Sequence, residues 1–157
     1  EINVEIEIGK IRNSFLEMQE NIQKNMDDQD PLKDSFLKAI EEQLSLLDRY
    51  ESSYKNLKEA SDKIKKEGIK ETEPGLRDDI EFTLKFILPS FRRGIWMASQ
   101  EIEIATRNKD EIWLIFALTD LNSTMRRQIE TQEDLVSLLT SKDENEIKQI
   151  RERLLMR

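Results

Sequence analysis

Pairs of carboxylates three residues apart are the arrangement in this sequence that most readily suggests chemistry. On a helix, side chains at i and i+3 lie on one face, where two carboxylates can bind one Mg²⁺ ion. Such pairs include Glu17/Glu20, Asp48/Glu51, Glu59/Asp62, Asp78/Glu81, Glu130/Glu133 and Asp143/Glu146. With 33 acidic residues in the chain, several pairs are expected by chance, and most are interleaved with Lys. The pattern therefore favours solvated helix faces over a metal site.

The chain contains no His and no Cys. The usual ligand sets for zinc and haem are therefore missing, and so is the Glu-x-x-His motif of ferritin-like di-iron sites. Nucleophiles activated by His are excluded for the same reason, as are disulfides. We therefore predict no stoichiometric zinc or iron, no other cofactor and no catalytic residue of these types.

Three aspartates at positions 27, 28 and 30 are similar to the opening of a calcium-binding loop. An EF-hand loop counted from Asp28 would need Gly at its sixth position and Glu at its twelfth. The chain has Lys33 and Ala39 there, so the match fails. The segment instead predicts the end of one helix and the cap of the next.

A group of aromatic residues could line a ligand pocket or accept a helix from a partner. Its members are Phe82, Phe86, Phe91, Trp96, Trp113 and Phe116. Their helical spacing is more typical of core packing. A role in binding a ligand or a partner helix stays open because Pro89 lies within the group. Proline removes one backbone hydrogen bond and clashes with the carbonyl of Lys85. We predict a kink near residues 85–89, which would open a groove between helices.

Two pairs of arginines lie near this predicted kink in the expected fold. In an antiparallel hairpin that turns near residue 109, Arg92 and Arg126 lie at the same height, because each is about 17 residues from the turn. With Arg93 and Arg127, they could bind an anionic peptide or a few phosphates. The simpler alternative is that they form ion pairs with Glu101, Glu103, Asp120 or Glu130.

Helical periodicity is clearest in two segments, the second of which carries Arg92 and Arg93. Asp30 is a good N-cap and Pro31 suits the first position of a helix, which Gly68 would end. The apolar face of this helix consists of Phe36, Ile40, Leu44, Leu47, Tyr54, Leu57 and Ile64. The apolar seam of the next helix consists of Leu76, Ile80, Leu84, Ile87, Phe91, Ile95, Ala98, Ile102 and Ala105.

The remaining elements have weaker signals. In residues 1–8 apolar and polar residues alternate as in a strand, but the segment also extends a helical stripe that continues to Ile22; we favour the helix. Asn108 followed by Glu111 indicates the start of a fourth helix, and Ser141 followed by Glu144 indicates a short fifth helix.

These lengths and connections predict an all-α, antiparallel up-down four-helix bundle with long helices and a short C-terminal fifth helix. Residues 1–157 are expected to form a single domain, which could be a fragment of a longer chain because residue 1 is Glu rather than Met. The alternative is a helix continuous through residues 106–111. That rod, about 100 Å long, would have to bury its seam against a second chain.

The formal net charge of −8 argues against a general affinity for nucleic acid. No apolar run approaches the ~20 residues of a membrane span, and no signal peptide is visible, so we expect a cytoplasmic protein.

We predict a non-catalytic protein-interaction module: a helical adaptor, chaperone or complex subunit that offers an aromatic and arginine groove to a helix or an acidic peptide. Self-association stays open. One alternative is a Mg²⁺-dependent all-α nucleotide phosphohydrolase that uses paired carboxylates. Another is a small helical subunit of a nucleoprotein complex that uses the Arg-rich second half. The predicted partner-binding residues are Phe86, Pro89, Arg92, Arg93, Trp96, Arg126 and Arg127.

Overall fold

A computed structural model describes residues 4–69 and 71–156. Over that part of the chain five helices account for the regular structure and no strand is present; 87% of the described residues are helical. This confirms the predicted all-α, antiparallel up-down bundle with a short C-terminal helix. The helices are α1 (Val4–Asn25), α2 (Pro31–Glu67), α3 (residues 76–107), α4 (Glu111–Thr140) and α5 (Glu144–Leu155).

Helix α1 begins at Val4, so residues 4–8 are helical rather than extended. The part of that prediction that concerns residues 1–3 lies outside the described residues. Ile8 and Phe15 bury their side chains seven residues apart, as expected for one face of a helix. Helix α1 packs antiparallel to α2.

The connection between α1 and α2 is the capping segment that the sequence predicts, not a calcium loop. The Leu32 amide donates to Asp30 Oδ1 at 2.9 Å, and Pro31 opens helix α2. Lys33 Nζ donates to the Met26 carbonyl at 3.1 Å, which satisfies a carbonyl at the end of α1, and pairs with Asp28 at 2.5 Å. The hydrogen bond from Lys33 lowers the pKa of Asp28.

Helices α3 and α4 form an antiparallel hairpin that turns at Lys109. This residue has a φ of 55°, a left-handed conformation that an α-helix cannot contain, so the continuous rod is wrong. The cap of α4 is Asp110 rather than Asn108, because Asp110 Oδ1 accepts from the Trp113 amide at 3.0 Å. Gly94 and Thr124, each 15 residues from Lys109, lie so close that a Cβ on Gly94 would be 3.0 Å from Thr124 Cγ2.

Helix α3 changes its winding in the middle. It consists of α-helical Leu76–Phe82, a π-helical turn Thr83–Ile87 and α-helical Leu88–Arg107. The Leu88 amide donates to the Thr83 carbonyl five residues back, and both of these residues are buried. The predicted seam is therefore wrong at Leu84, which is 37% exposed, because the π turn inserts a residue and moves the buried face.

The contacts of the chain divide it into two compact units, to which α2, α3 and α4 each contribute a segment. The first unit is Glu1–Glu51 with Gly94–Met125, and the second is Ser52–Arg93 with Arg126–Arg157. The single domain of residues 1–157 stays a prediction. The core of the second unit consists of Leu57, Leu76, Ile80, Leu88, Leu135, Leu138, Ile147, Ile150 and Leu154.

None of the helices, over the residues that the structure describes, combines the length and the apolar character needed to cross a membrane.

Two buried amide side chains interrupt the apolar core of the first unit. Asn122 Nδ2 donates to the Ala39 carbonyl at 2.9 Å, and Gln43 Nε2 donates to the Met125 sulfur at 3.3 Å. Within the described part of the chain, the carbonyl oxygens of both amides are buried and accept no hydrogen bond. A buried acceptor without a donor costs about 1–3 kcal/mol, so Gln43 is a destabilising choice at its position.

Replacing Gln43 by Met is therefore expected to raise the free energy of unfolding by about 1 kcal/mol, because Met has a similar shape and removes the unsatisfied carbonyl. Urea denaturation followed by circular dichroism measures the change. Gln100→Met at an exposed position of the same unit is the control and should change stability by less than about 0.5 kcal/mol. A loss of stability in Gln43→Met would show that its carbonyl is satisfied in solution.

Candidate functional site

Pro89 lies two residues beyond the π turn of helix α3. In an α-helix a proline ring clashes with the carbonyl four residues earlier; here that carbonyl belongs to Lys85, inside the turn Thr83–Ile87. A π turn thus lies where the sequence predicts a kink, and the helix continues through Pro89 without a break; the kink itself stays a prediction. Single π turns inside helices occur frequently at functional sites.

Two exposed aromatic rings lie at the π turn, one directly before it and one inside it. Phe82 is 52% exposed and Phe86 is 61% exposed, with 5.3 Å between their ring centroids. Thr83 and Leu88, by contrast, are almost completely buried. The prediction that these aromatic side chains pack in the core is therefore wrong for Phe82 and Phe86. Exposed aromatic neighbours of this kind indicate a binding surface more often than a folding requirement.

The other four aromatic residues of the group have different environments. Phe91 is half-buried against the core of the second unit, and Trp113 is half-buried in the first unit. Trp96 and Phe116, both in the first unit, are each 64% exposed, so the core interpretation is wrong for them too. Trp96 therefore belongs to a different unit from the other predicted site residues.

All four arginines of the predicted site lie in the second unit and are exposed. Among the described residues, the side chains of Arg92 and Arg93 form no ion pair and no hydrogen bond. The alternative prediction, ion pairs with nearby carboxylates, is therefore wrong for these two arginines. Arg93 follows Phe86 by seven residues along α3, which is about two helical turns. We call Phe82, Phe86, Arg92 and Arg93 the Phe–Arg surface.

The formal charges of the two units have opposite signs. The first unit has 8 Lys and Arg against 18 Asp and Glu, a net charge of −10, and the second has 17 against 15, a net charge of +2. The overall value of −8 thus conceals a strongly acidic unit and a weakly basic one. Charged surfaces of this kind select partners of the opposite sign.

Several of the carboxylate pairs are engaged by basic side chains. Arg12 pairs with Asp48 at 2.6 Å and with Glu51 at 3.7 Å, and Glu20 pairs with Lys24 at 2.7 Å. Over residues 4–69 and 71–156, no three acidic side chains converge in a geometry that could hold a metal ion. The geometry of these carboxylates therefore gives the phosphohydrolase hypothesis no support.

A half-buried ion-pair cluster in the second unit is not among the features that the sequence predicts. Arg151 Nε donates to Asp79 at 2.6 Å, Nη1 to Glu73 at 3.2 Å and Nη2 to the Pro74 carbonyl at 3.1 Å. The hydrogen bond to Asp79 raises the pKa of Arg151. The cluster joins α5 to the start of α3 and to the connection that precedes it, so its role is structural. No sequence motif marks it, because Arg151 is more than 70 residues from each of its partners.

Comparison of the chain with models of known protein families, with curated protein sequences and with solved structures found no match.

Proposed function

We propose that this protein is a non-catalytic protein-interaction module and that its Phe–Arg surface binds an acidic amphipathic helix of another protein. The observation that carries the proposal is the exposed Phe82–Phe86 pair at the π turn, followed along α3 by two arginines without ion-pair partners among the described residues. An exposed aromatic pair and an unusual helical turn both depart from the usual rules of folding. Such departures are expected mainly at functional surfaces.

The chemistry of the surface determines the kind of partner. Two phenyl rings at i and i+4 offer an apolar strip about one helical turn long, which accepts Leu or Ile side chains at the same spacing on a facing helix. Arg92 and Arg93 add two guanidinium groups that form bidentate hydrogen bonds with carboxylates. Aromatic and arginine side chains are also the residue types that dominate binding energy at protein interfaces.

The test is a titration of the protein into a labelled helical peptide with Leu on one face and Glu on the other, followed by fluorescence anisotropy. We expect Phe86→Ser to weaken binding at least about tenfold, because truncation of a central aromatic side chain typically costs more than about 1.4 kcal/mol. Changing both Arg92 and Arg93 to Glu should weaken binding by a similar factor at low salt and by less at high salt.

The matched control is Lys148→Glu, which reverses one charge at an exposed position of helix α5 in the same unit. It should change the affinity less than about twofold, since a single remote charge contributes little. Equal binding of a peptide with Lys in place of Glu would contradict the proposal. Tighter binding of a single-stranded RNA than of the acidic peptide would do so as well, and would favour the nucleoprotein alternative.

A further inference from the structure

Helix α4 has a second apolar face in the first unit, on the side away from the core. Ala117, Leu118 and Leu121 are buried, as expected for the inner face of an amphipathic helix. Ile112 and Phe116 are nevertheless 63% and 64% exposed. They lie one turn apart on the same side of α4, so their side chains are neighbours.

Exposed carboxylates flank this pair along α4, and another lies on α3 of the same hairpin. Asp120 follows Phe116 by one turn, and Glu111 precedes Ile112 directly. Glu103, on the facing helix of the hairpin, is also exposed. In the described part of the chain, none of these three carboxylates forms an ion pair, whereas Asp48, Glu51 and Glu20 on α1 and α2 are paired with Arg or Lys. We call Ile112, Phe116 and Asp120 the α4 stripe.

From this arrangement we infer that the α4 stripe binds a basic amphipathic helix of another protein. The net charge of −10 on the first unit attracts a cationic segment over a distance, and the unpaired carboxylates can bind its Lys or Arg side chains. The apolar side chains of that segment cover Ile112 and Phe116, which otherwise expose a large apolar area to water. The distance from Ile112 to Asp120 is about 12 Å of helix, which matches about two turns of a partner helix.

This binding site is separate from the Phe–Arg surface and selects the opposite charge. A protein with one surface for an acidic helix and one for a basic helix can bind two different partners, which is the property of an adaptor. The inference does not depend on the function proposed above, since it rests on other residues and another unit.

The experiment uses the full chain and a labelled helical peptide of about 18 residues with Leu on one face and Lys on the other. We expect binding that weakens at least about fivefold when ionic strength rises from about 50 to about 300 mM, because the interaction is between exposed charges. Phe116→Ser should weaken binding at least about tenfold. Changing Asp120 and Glu103 to Lys should reduce the salt dependence and weaken binding by a comparable factor.

The matched controls lie on α1 in the same unit. Leu16→Ser truncates an apolar side chain that is 44% exposed, and Glu17→Lys reverses an exposed charge. Each should change the affinity less than about twofold. Circular dichroism of every variant should match the parent spectrum, since the substituted side chains are exposed.

Three results would overturn the inference. The first is equally tight binding of the matching peptide with Glu in place of Lys. The second is an equal loss of binding in Leu16→Ser and Phe116→Ser. The third is a stable dimer of the protein alone in sedimentation velocity that Phe116→Ser dissociates, since the occupant of the α4 stripe would then be a second copy. Loss of acidic-peptide binding in Phe86→Ser bears only on the Phe–Arg surface, so the two proposals fail separately.

Discussion

Replacing Pro89 by Ala is expected to raise the free energy of unfolding by about 1–3 kcal/mol and to weaken binding at the Phe–Arg surface. Proline in a helix interior costs about 3 kcal/mol relative to Ala, because it lacks a backbone donor and its ring clashes with the carbonyl of Lys85. The gain in stability from Pro89→Ala should be smaller than this full cost of proline. Thr83 and Leu88 are both buried, so core packing also holds the π turn in place.

Binding weakens in this variant because the π turn determines where Phe82 and Phe86 lie. If the loss of the proline ring lets the turn relax toward α-helical geometry, the two phenyl rings change their orientation relative to Arg93, and the surface loses its complementarity. We expect the affinity for the acidic amphipathic peptide to fall at least about fivefold, which corresponds to about 1 kcal/mol. Thermal denaturation followed by circular dichroism and the anisotropy titration measure the two effects on the same samples.

Pro31→Ala is the control within the same chain. Pro31 occupies the first position of helix α2, where the missing N–H removes no intrahelical hydrogen bond, so its replacement should change stability by less than about 0.5 kcal/mol. A Pro89→Ala variant with higher stability and unchanged binding would remove the support that Pro89 gives to the Phe–Arg surface. Lower stability would contradict the account of the π turn itself.

Replacing Arg151 by Ala is expected to lower the free energy of unfolding by about 2–4 kcal/mol. The Arg151 side chain is 21% exposed, and its carboxylate partners on Glu73 and Asp79 are 25% and 28% exposed. Removal of one partner from such a cluster leaves two poorly solvated carboxylates together, and breaking a buried ion pair in this way costs about 3–5 kcal/mol. We expect a smaller loss of stability than this for Arg151→Ala, because water still reaches the three partly exposed side chains.

Lys24→Ala is the matched control for Arg151→Ala. It breaks an ion pair of similar length, 2.7 Å, but Lys24 and Glu20 are 69% and 65% exposed, so the cost should be below about 1 kcal/mol. Asp79→Asn, combined with Arg151→Ala in a double-mutant cycle, should give a coupling energy of at least about 1 kcal/mol. A coupling energy near zero would contradict the ion pair.

The effect of Arg151→Ala should not change between neutral and mildly alkaline pH. The hydrogen bond to Asp79 raises the pKa of Arg151 above its usual value. A raised pKa means that the stabilisation is fully present below the pKa of the unfolded state and is lost only as pH rises through the folded value. Both values lie far above neutrality, so the guanidinium stays charged throughout the measurement.

The sequence by itself determined the fold class, because local signals are strong here. Asp30 and Pro31 mark the start of α2 by their backbone chemistry, and the long apolar periodicities require amphipathic helices. The position of the α3–α4 turn was also predictable. The residue that caps α4 was not, since Asn108 and Asp110 are both acceptable caps and only the geometry of the turn at Lys109 selects Asp110.

The tertiary structure alone decided which aromatic residues are exposed. The α-helical period predicted that Leu84 would be buried, but the buried positions move from Thr83 to Leu88 across the π turn. A single inserted residue turns the following part of a helix by about 100°, and no local propensity encodes that insertion. The exposure of Phe86 and Trp96, which lie in or after the π turn, therefore could not be read from their spacing.

The distribution of charge was hidden for a related reason. Division of the sequence into halves separates the acidic residues only weakly, because each unit combines segments that are distant in sequence. Helices α2, α3 and α4 each contribute to both units, so the net charges of −10 and +2 appear only after the segments are grouped by contact. Composition and periodicity are properties of the chain, whereas a binding surface depends on which distant segments pack together.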